Sequence, residues 1–448
     1  MNLDNVIDES MGIDGAFEVN LSFKYYEPTN AFAAPPVADL ILPISKSGAQ
    51  MFSENPAVTS ITIPENTASA FVEIYASGAA KEEFWYTNAL DEAIPILASH
   101  SNTSVTGKGP YREVQLLIDN KLVGVVLPFP VIFTGGIVLS WWSPMAAYGA
   151  FDLPTYLLDV TPFIPTLTDG KAHNFTLAVE GLGVNRSING NFFLSGNLAL
   201  VTDRAGGRTT GKITKYENTP RLKTSAGLCK DGLRTVIEAG RVISISSDVI
   251  TGSGTKKVDF SQTMVYKSTQ IWNSEGKGQQ IKQISSGSIV STTNGNRTFS
   301  EKFNYPLGLT LKSEKDSLVG KLKLRYNRVL QSTSFVGLGN NIDTSQIAKG
   351  SLKLESPGRA SSGFGETEQI FRYSDARGST YFRDVAVSNV TKFLRDETSG
   401  SLADMATDGQ EPPLANQLNS LTQSTSSEDQ LYGHPARIPS SIVVFSQK

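Results

Sequence analysis

Apolar and polar residues alternate along much of this chain with a period of two, which is typical of half-buried β-strands. The alternation is strict over residues 17–24, where Phe17, Val19, Leu21 and Phe23 are separated by polar residues. The same criterion predicts further strands at Val58–Ile63, Ala70–Tyr75, Arg112–Asp119, Leu122–Val126, Tyr156–Val160, Phe175–Val179, Leu194–Val201, Arg241–Ile250, Val258–Lys267, Gln279–Thr293, Leu322–Leu330 and Gln369–Tyr373. Short strands separated by turn signals favour an all-β protein made of jelly-roll-like antiparallel β-sandwiches, with a strand-rich C-terminal region.

The chain of 448 residues is too long for one hydrophobic core. An acidic, Gly-rich loop leads into a closing strand twice, near Asp14 and near Asn189, but the first has no preceding strands to close. The predicted segments are a remnant (last strand) of a first jelly roll plus linker at 1–38, a jelly-roll domain at 39–203, a linker at 204–234, a strand-rich domain at 235–395 and a low-complexity tail at 396–448.

Charge and composition exclude several classes of partner. The net charge is −3 without basic blocks, so nucleic acid is not expected to bind. No apolar run reaches the roughly 18–20 residues that span a bilayer. The N-terminus lacks the pattern of a signal peptide, whereas Asn-x-Ser/Thr sequons such as the one at Asn174 mildly favour a secretory protein.

The motifs of metal, phosphate and serine-nucleophile chemistry are absent, and the three histidines lie far apart in sequence, so we expect neither a metal nor a cofactor. Carboxylate, arginine and aromatic side chains remain, and they concentrate between Glu82 and Asp159. Flat aromatic rings pack on sugar rings, a carboxylate activates water, and a cation stabilises an oxyanion. The ordinary alternative is that these aromatic residues form a core and that the charged residues are solvated.

Three segments carry a more specific signal: Glu82-Glu-Phe-Trp-Tyr-Thr-Asn88, Gly109-Pro-Tyr-Arg-Glu-Val-Gln-Leu-Leu-Ile-Asp119 and Gly124-Val-Val-Leu-Pro-Phe-Pro-Val-Ile-Phe-Thr-Gly-Gly136. Together they resemble the peptide N-glycosidase A (glycoamidase) family, most strongly from Ala38 to Asp203. The resemblance implies metal-independent hydrolysis of the β-aspartylglucosaminyl amide of N-glycosylated peptides or glycoproteins. It also implies a protein that is secreted or lies in the secretory pathway, with two packed jelly rolls and the site between them.

Two departures from the family pattern affect what we expect. Family members carry a further acidic stretch before a segment like Gly15–Tyr25, and this sequence does not contain it. We therefore expect an N-terminally truncated member with little or no glycoamidase activity. Tyr111 stands where many members have cysteine.

The resemblance and the chemistry together select the candidate site residues. Glu113 is expected to activate water or protonate the leaving group, and Arg112 to stabilise the amide oxygen. Both line one site only if the strand bulges, since neighbouring residues on a strand face opposite ways. The expected substrate-binding residues are Trp85, Glu83, Trp142 and Asp152. Two alternatives stay open, namely an inactive, glycan-binding family member and an incomplete gene model.

Overall fold

The structure is a computed structural model that describes residues 15, 27, 37–46, 51–100, 105–133, 135–142, 144–274, 277–314, 316–334, 339–356, 359–389 and 392–403. Its strands are β1 (Leu40–Ile44), β2 (Ala57–Ile61), β3 (Thr67–Gly78), β4 (Glu113–Ile118), β5 (Lys121–Val126), β6 (Tyr156–Asp159), β7 (His173–Glu180), β8 (Phe192–Thr202), β9 (Thr210–Cys229), β10 (Gly232–Thr251), β11 (Gly254–Trp272), β12 (Gly278–Thr293), β13 (Asn296–Glu314), β14 (Ser317–Ser332), β15 (Asn340–Ser356), β16 (Arg359–Asp375), β17 (Thr380–Ser388) and β18 (Lys392–Ser399). The α-helices are α1 (Ile94–His100) and α2 (Ile164–Leu167), and short 3₁₀ turns lie at Ala80–Glu82, Trp85–Thr87, Asp91–Ala93, Leu139–Trp141, Thr161–Phe163 and Val184–Arg186.

Strands β1–β8 form two four-stranded antiparallel sheets with the strand orders β1-β8-β3-β6 and β2-β7-β4-β5. Apolar side chains of both sheets, among them Val72, Leu198, Leu116 and Phe175, belong to one continuous core. The prediction of an all-β protein with an antiparallel sandwich is therefore confirmed. Arg112–Asp119, predicted as a strand, contains β4, whose register with β7 pairs Glu113 with Glu180.

Strands β4 and β5 are buried on both faces, which explains why apolar residues are not confined to alternate positions in them. Val114 and Leu116 alternate along β4 with Glu113 and Gln115. The second pair belongs to the face that meets the C-terminal half of the chain, where the Glu113 carboxylate contacts Arg241 of β10. The sandwich thus packs one of its sheets on a second layer.

That second layer is one ten-stranded antiparallel sheet, in which β9–β18 follow each other in chain order. Buried and exposed residues alternate along strands such as β10 and β11, so one face is covered and the other meets solvent. The prediction of a one-sided sheet is consistent with this alternation. Several strands were not predicted, including β13, β15 and β17.

The prediction of a linker over 204–234 needs a correction, because Thr210–Cys229 is β9. This strand pairs along its length with β10 and lies at the edge of the sheet. Most of its side chains are exposed, so its sequence is polar and basic and lacks the apolar alternation of a strand. Division of the chain into domains stays a prediction.

Buried glutamines of the large sheet bind backbone groups of the sandwich. The Gln262 side chain accepts from the Val125 amide at 2.9 Å and donates to the Val125 carbonyl at 2.8 Å. Gln346 makes the same kind of double contact, with the Tyr148 amide and the Ala146 carbonyl. These buried glutamines therefore have a structural role, since buried backbone groups must be paired.

The predicted strand with Phe17 and Phe23, and the tail beyond residue 403, lie outside the described residues. Among the residues that are described, no helix is long and apolar enough to cross a membrane.

Candidate active site at the junction of the two layers

Glu113, the first residue of β4, lies in the junction with its side chain 1% exposed. Its carboxylate accepts four hydrogen bonds. Oε1 accepts from Arg241 Nη2 at 2.6 Å and from Gln115 Nε2 at 2.8 Å. Oε2 accepts from the Tyr111 hydroxyl at 2.8 Å and from Arg241 Nε at 3.1 Å. Both carboxylate oxygens are thus fixed by donors, two of which come from one guanidinium fork.

Burial and charge act together on the groups around Glu113. Burial raises the pKa of the Tyr111 hydroxyl well above its usual value, and the Glu113 charge raises it further. For Arg241, burial alone would lower the pKa, but the Glu113 hydrogen bond and charge outweigh it and the pKa is raised. Tyr111 and Arg241 thus stay protonated at neutral pH and donate to the carboxylate.

The cluster approaches the surface through two half-buried residues. The Arg186 guanidinium lies over the Tyr111 ring at 5.6 Å and pairs with Glu180 at 3.1 Å. On the other side, Arg241 Nη1 donates to Asn218 Oδ1 of β9 at 2.8 Å. A single side chain therefore separates Glu113 from a half-buried residue on each side: Tyr111 from Arg186, and Arg241 from Asn218.

The Arg112 side chain points away from that of its neighbour Glu113. Its guanidinium pairs with both oxygens of Glu82, with Nη2 to Oε1 at 2.9 Å and Nε to Oε2. Nη1 donates to the backbone carbonyl of Gly109 at 2.9 Å and to that of Tyr111. Both side chains of the pair are 0% exposed. Arg112 and Glu113 consequently have separate partners, as the pleat of a strand requires, and the structure does not bring them together in one cluster.

The tryptophans lie in the core. Trp85 is 5% exposed, with Tyr86 and Phe192 against its ring at centroid distances of 5.4 and 5.6 Å. Trp142 is 3% exposed, contacts the Trp141 ring edge-on and donates its indole hydrogen to the Gly136 carbonyl at 2.8 Å. Neither ring offers a free face for a sugar in this conformation.

The two remaining candidates are more accessible. Glu83 is half-buried beside the 3₁₀ turn Ala80–Glu82, and Asp152 is exposed in the loop before β6. The negative charge of Asp152 contributes to the raised pKa values of Tyr75 and Tyr148, after burial as the largest cause, so Asp152 lies near both tyrosines. The candidate residues therefore occupy several places on the sandwich.

Sequence reasoning missed Arg241, Gln115 and Asn218. A signal for Arg241 existed, because inward positions of β10 are otherwise apolar or small, as at Ile237, Ala239 and Ile243. An arginine at such a position needs a buried partner. The identity of that partner, 128 residues away, could not be derived from local pattern.

Within the described ranges, no three His, Cys, Asp or Glu side chains are grouped as ligands for a metal ion.

The fold and the junction define an all-β protein in which a sandwich lies on a ten-stranded sheet, with buried arginine–carboxylate pairs in and beside the interface. Residues 1–219 match the family model "Peptide N-acetyl-beta-D-glucosaminyl asparaginase amidase A", and residues 234–307 match "PNGase_A C-terminal domain". The chain is 30% identical over 421 residues to a Prunus dulcis protein named peptide-N4-(N-acetyl-beta-glucosaminyl)asparagine amidase A, covering 87% of this chain and 71% of that protein. No solved structure matches the chain. The chain belongs to the peptide N-glycosidase A family.

Proposed function

We propose that this protein is a glycoamidase that hydrolyses the β-aspartylglucosaminyl amide bond of N-glycosylated peptides. Water attacks the side-chain carbonyl carbon of the glycosylated asparagine, and the bond from this carbon to the sugar nitrogen breaks. The nitrogen takes a proton and leaves with the glycan as a glycosylamine, while aspartate remains in the peptide. No step in this scheme draws on a metal or a cofactor.

The observation that carries the proposal is the similarity to the almond amidase, which extends over 87% of the chain and so includes both layers. It favours an enzyme over the alternative of a glycan-binding remnant. The substrate class, N-glycosylated peptides or glycoproteins, also supports a place in the secretory pathway or outside the cell.

Within the site, Glu113 is the proposed catalytic carboxylate. It is ion-paired with Arg241 and hydrogen-bonded on both oxygens, which supports a defined orientation toward one reacting group. Because its side chain is buried, the glycopeptide must displace a covering group, and the Tyr111 hydroxyl beneath the half-buried Arg186 is the candidate. Catalytic hydrogen bonds of this kind often form only in the substrate complex.

The other candidates divide by accessibility. Asp152 and Glu83 are proposed to contact the substrate, since both side chains reach solvent. Trp85 and Trp142 are proposed to shape the wall behind the site, and Arg112 to fix the backbone before β4 through the carbonyls of Gly109 and Tyr111. The strand orders 1-8-3-6 and 2-7-4-5 support a jelly roll as the scaffold.

The test is glycan release from a denatured N-glycosylated protein by the 448-residue chain, with and without EDTA. Mass spectrometry is expected to find aspartate in place of the glycosylated asparagine at equal rates in both samples. Release that leaves a sugar on the asparagine would contradict an amidase. Glycopeptide binding without any release would support the glycan-binding alternative.

A further inference from the structure

The ten-stranded sheet supplies the only cation that contacts Glu113 within the described part of the chain. Arg241 Nη2 and Nε reach the two carboxylate oxygens separately, at 2.6 and 3.1 Å. This two-point contact fixes the plane of the carboxylate as well as its position. The sandwich itself contributes only the neutral donors Tyr111 and Gln115 to the same carboxylate.

The position of Arg241 is itself fixed from a third element. Asn218 of β9 accepts from Nη1 at 2.8 Å, on the side of the guanidinium that does not face Glu113. Asn218, Arg241 and Glu113 therefore form a line of contacts from the edge strand of the large sheet to the first residue of β4. The charge of Glu180 also favours the protonated form of Arg241, but among the described residues only the Glu113 carboxylate accepts hydrogen bonds from Arg241 Nε and Nη2.

Resting on the proposed glycoamidase function, we propose that Arg241 is a positioning residue for Glu113, so that the ten-stranded sheet is part of the catalytic unit. Arg241 acts through the carboxylate and does not itself touch the substrate. Its removal leaves the Glu113 carboxylate held only by the neutral donors Tyr111 and Gln115, so that its plane and position are less firmly fixed. Misplacement of a catalytic group by about 1 Å costs on the order of 100-fold in rate.

The experiment measures kcat and KM for glycan release from a short glycopeptide by wild type, Arg241→Gln, Arg241→Lys, Glu113→Gln and the double variant Glu113→Gln/Arg241→Gln. We expect Arg241→Gln to lower kcat by about 10- to 100-fold with KM nearly unchanged. Lysine is expected to recover part of the loss, because it restores the charge but not the two-point fork. In the double variant, kcat is expected to equal that of Glu113→Gln, since residues that act as a unit are not additive.

The matched control is Arg328→Gln. Arg328 also belongs to the large sheet and pairs with a buried carboxylate, Glu301, at 3.1 Å. We expect this variant to lose stability in urea unfolding while kcat per folded molecule stays within about twofold of wild type. If Arg241→Gln fails to fold, Asn218→Ala takes its place, because it removes only the acceptor behind the guanidinium; a smaller loss of kcat is expected.

The outcomes separate this inference from the proposed function. Loss of activity in Glu113→Gln with full kcat in Arg241→Gln would overturn the role of Arg241 alone. Full additivity in the double variant would also overturn it. A wild-type chain that releases no glycan would overturn the proposed function and this inference with it.

Discussion

Gly320 of β14 lies directly beneath the indole ring of Trp141, which belongs to the 3₁₀ turn Leu139–Trp141 of the sandwich. A Cβ atom on Gly320 would lie 2.5 Å from Trp141 Cζ2. Gly320 pairs in register with Gly350 on β15, and Gly350 pairs with Gly365 on β16. Three glycines in a row across three strands thus form a shallow groove in which the turn packs. The Thr367 hydroxyl donates a hydrogen bond to the Trp141 carbonyl at 2.7 Å and so fixes the turn there.

This groove predicts that Gly320→Ala destabilises the protein. The added methyl group would lie within 2.9 Å of Trp141 Cη2 and of Val138 Cγ2, and neither side chain is free to move because both are fully buried. Overpacking of this kind costs about 1–3 kcal/mol. Urea unfolding followed by tryptophan fluorescence measures the change in the free energy of unfolding.

Gly308→Ala is the matched control for Gly320→Ala. Gly308 lies in the neighbouring strand β13, where an added Cβ would meet only Lys323, at 3.7 Å. We expect its free energy of unfolding to change by no more than about 0.5 kcal/mol. Equal stability of the two variants would mean that the turn does not pack tightly in the groove.

A second prediction concerns the fully buried pair of Arg112 and Glu82. Glu82→Gln removes the negative charge and leaves the guanidinium buried with a neutral partner. Loss of one member of a buried ion pair costs about 3–5 kcal/mol, and a hydrogen-bonding glutamine places the result near the lower end. Chemical denaturation at neutral pH checks the value.

The surface pair of Arg325 and Asp343, at 2.7 Å, provides the comparison for this buried pair. Because the arginine is nearly half exposed, Arg325→Gln is expected to cost at most about 1 kcal/mol. Similar losses in Glu82→Gln and Arg325→Gln would contradict the idea that Arg112 fixes the start of β4.

The alternation of apolar residues predicted most strands of the sandwich because each of them has one face in a core. It failed for β9, an edge strand with few buried side chains, and for β15 and β17. The sequence around β15 is rich in glycine and polar residues for a reason that only tertiary structure reveals. Gly350 receives the Trp141 turn, and Gln346 binds the loop backbone in front of it.

The candidate site shows the same limit. The family resemblance and residue chemistry selected Glu113, but the pairing of its carboxylate with Arg241 depends on how the layers pack, which no local pattern encodes. The tryptophans illustrate the opposite difficulty. Trp85 and Trp142 suit a sugar-binding face by chemistry, yet apolar area drives both rings into the core.

The third prediction concerns pH. His173 at the start of β7 lies between two carboxylates, with Nδ1 2.6 Å from Asp119 and Nε2 3.0 Å from Asp169. Burial alone would lower the pKa of His173, but the contacts with Asp119 and Asp169 outweigh it, and the pKa is raised. An unfolded histidine titrates near pH 6.5. The stabilisation is therefore fully present below about pH 6.5 and is lost as the pH rises through the folded-state pKa.

Urea unfolding over a series of pH values tests this sign. Wild type is expected to lose stability as the pH rises above about 6.5, and His173→Gln is expected to lack that step. Asp169→Asn, which keeps the histidine but removes one carboxylate, should give a smaller step than wild type. The same pH dependence in His173→Gln as in wild type would assign the step to another group.

The last prediction is that Glu113→Gln lowers kcat for glycan release by on the order of 100-fold or more. Glutamine has nearly the shape of glutamate and its carbonyl oxygen still accepts one hydrogen bond from Arg241, but it neither takes a proton from water nor delivers one to the leaving nitrogen. Because the change also leaves Arg241 without its counter-ion, stability falls too, and rates must be compared per folded molecule.

Glu301→Gln controls for that loss of stability. Glu301 is also buried and pairs with Arg328 at 3.1 Å, on the covered face of the large sheet to which Arg241 belongs. We expect Glu301→Gln to destabilise the protein to a similar extent while keeping kcat within about twofold. Glycan release that is equally fast in wild type and Glu113→Gln would assign the carboxylate a structural role as a tether between the two layers, and would direct the search for the catalytic group to the accessible carboxylates Glu83 and Asp152.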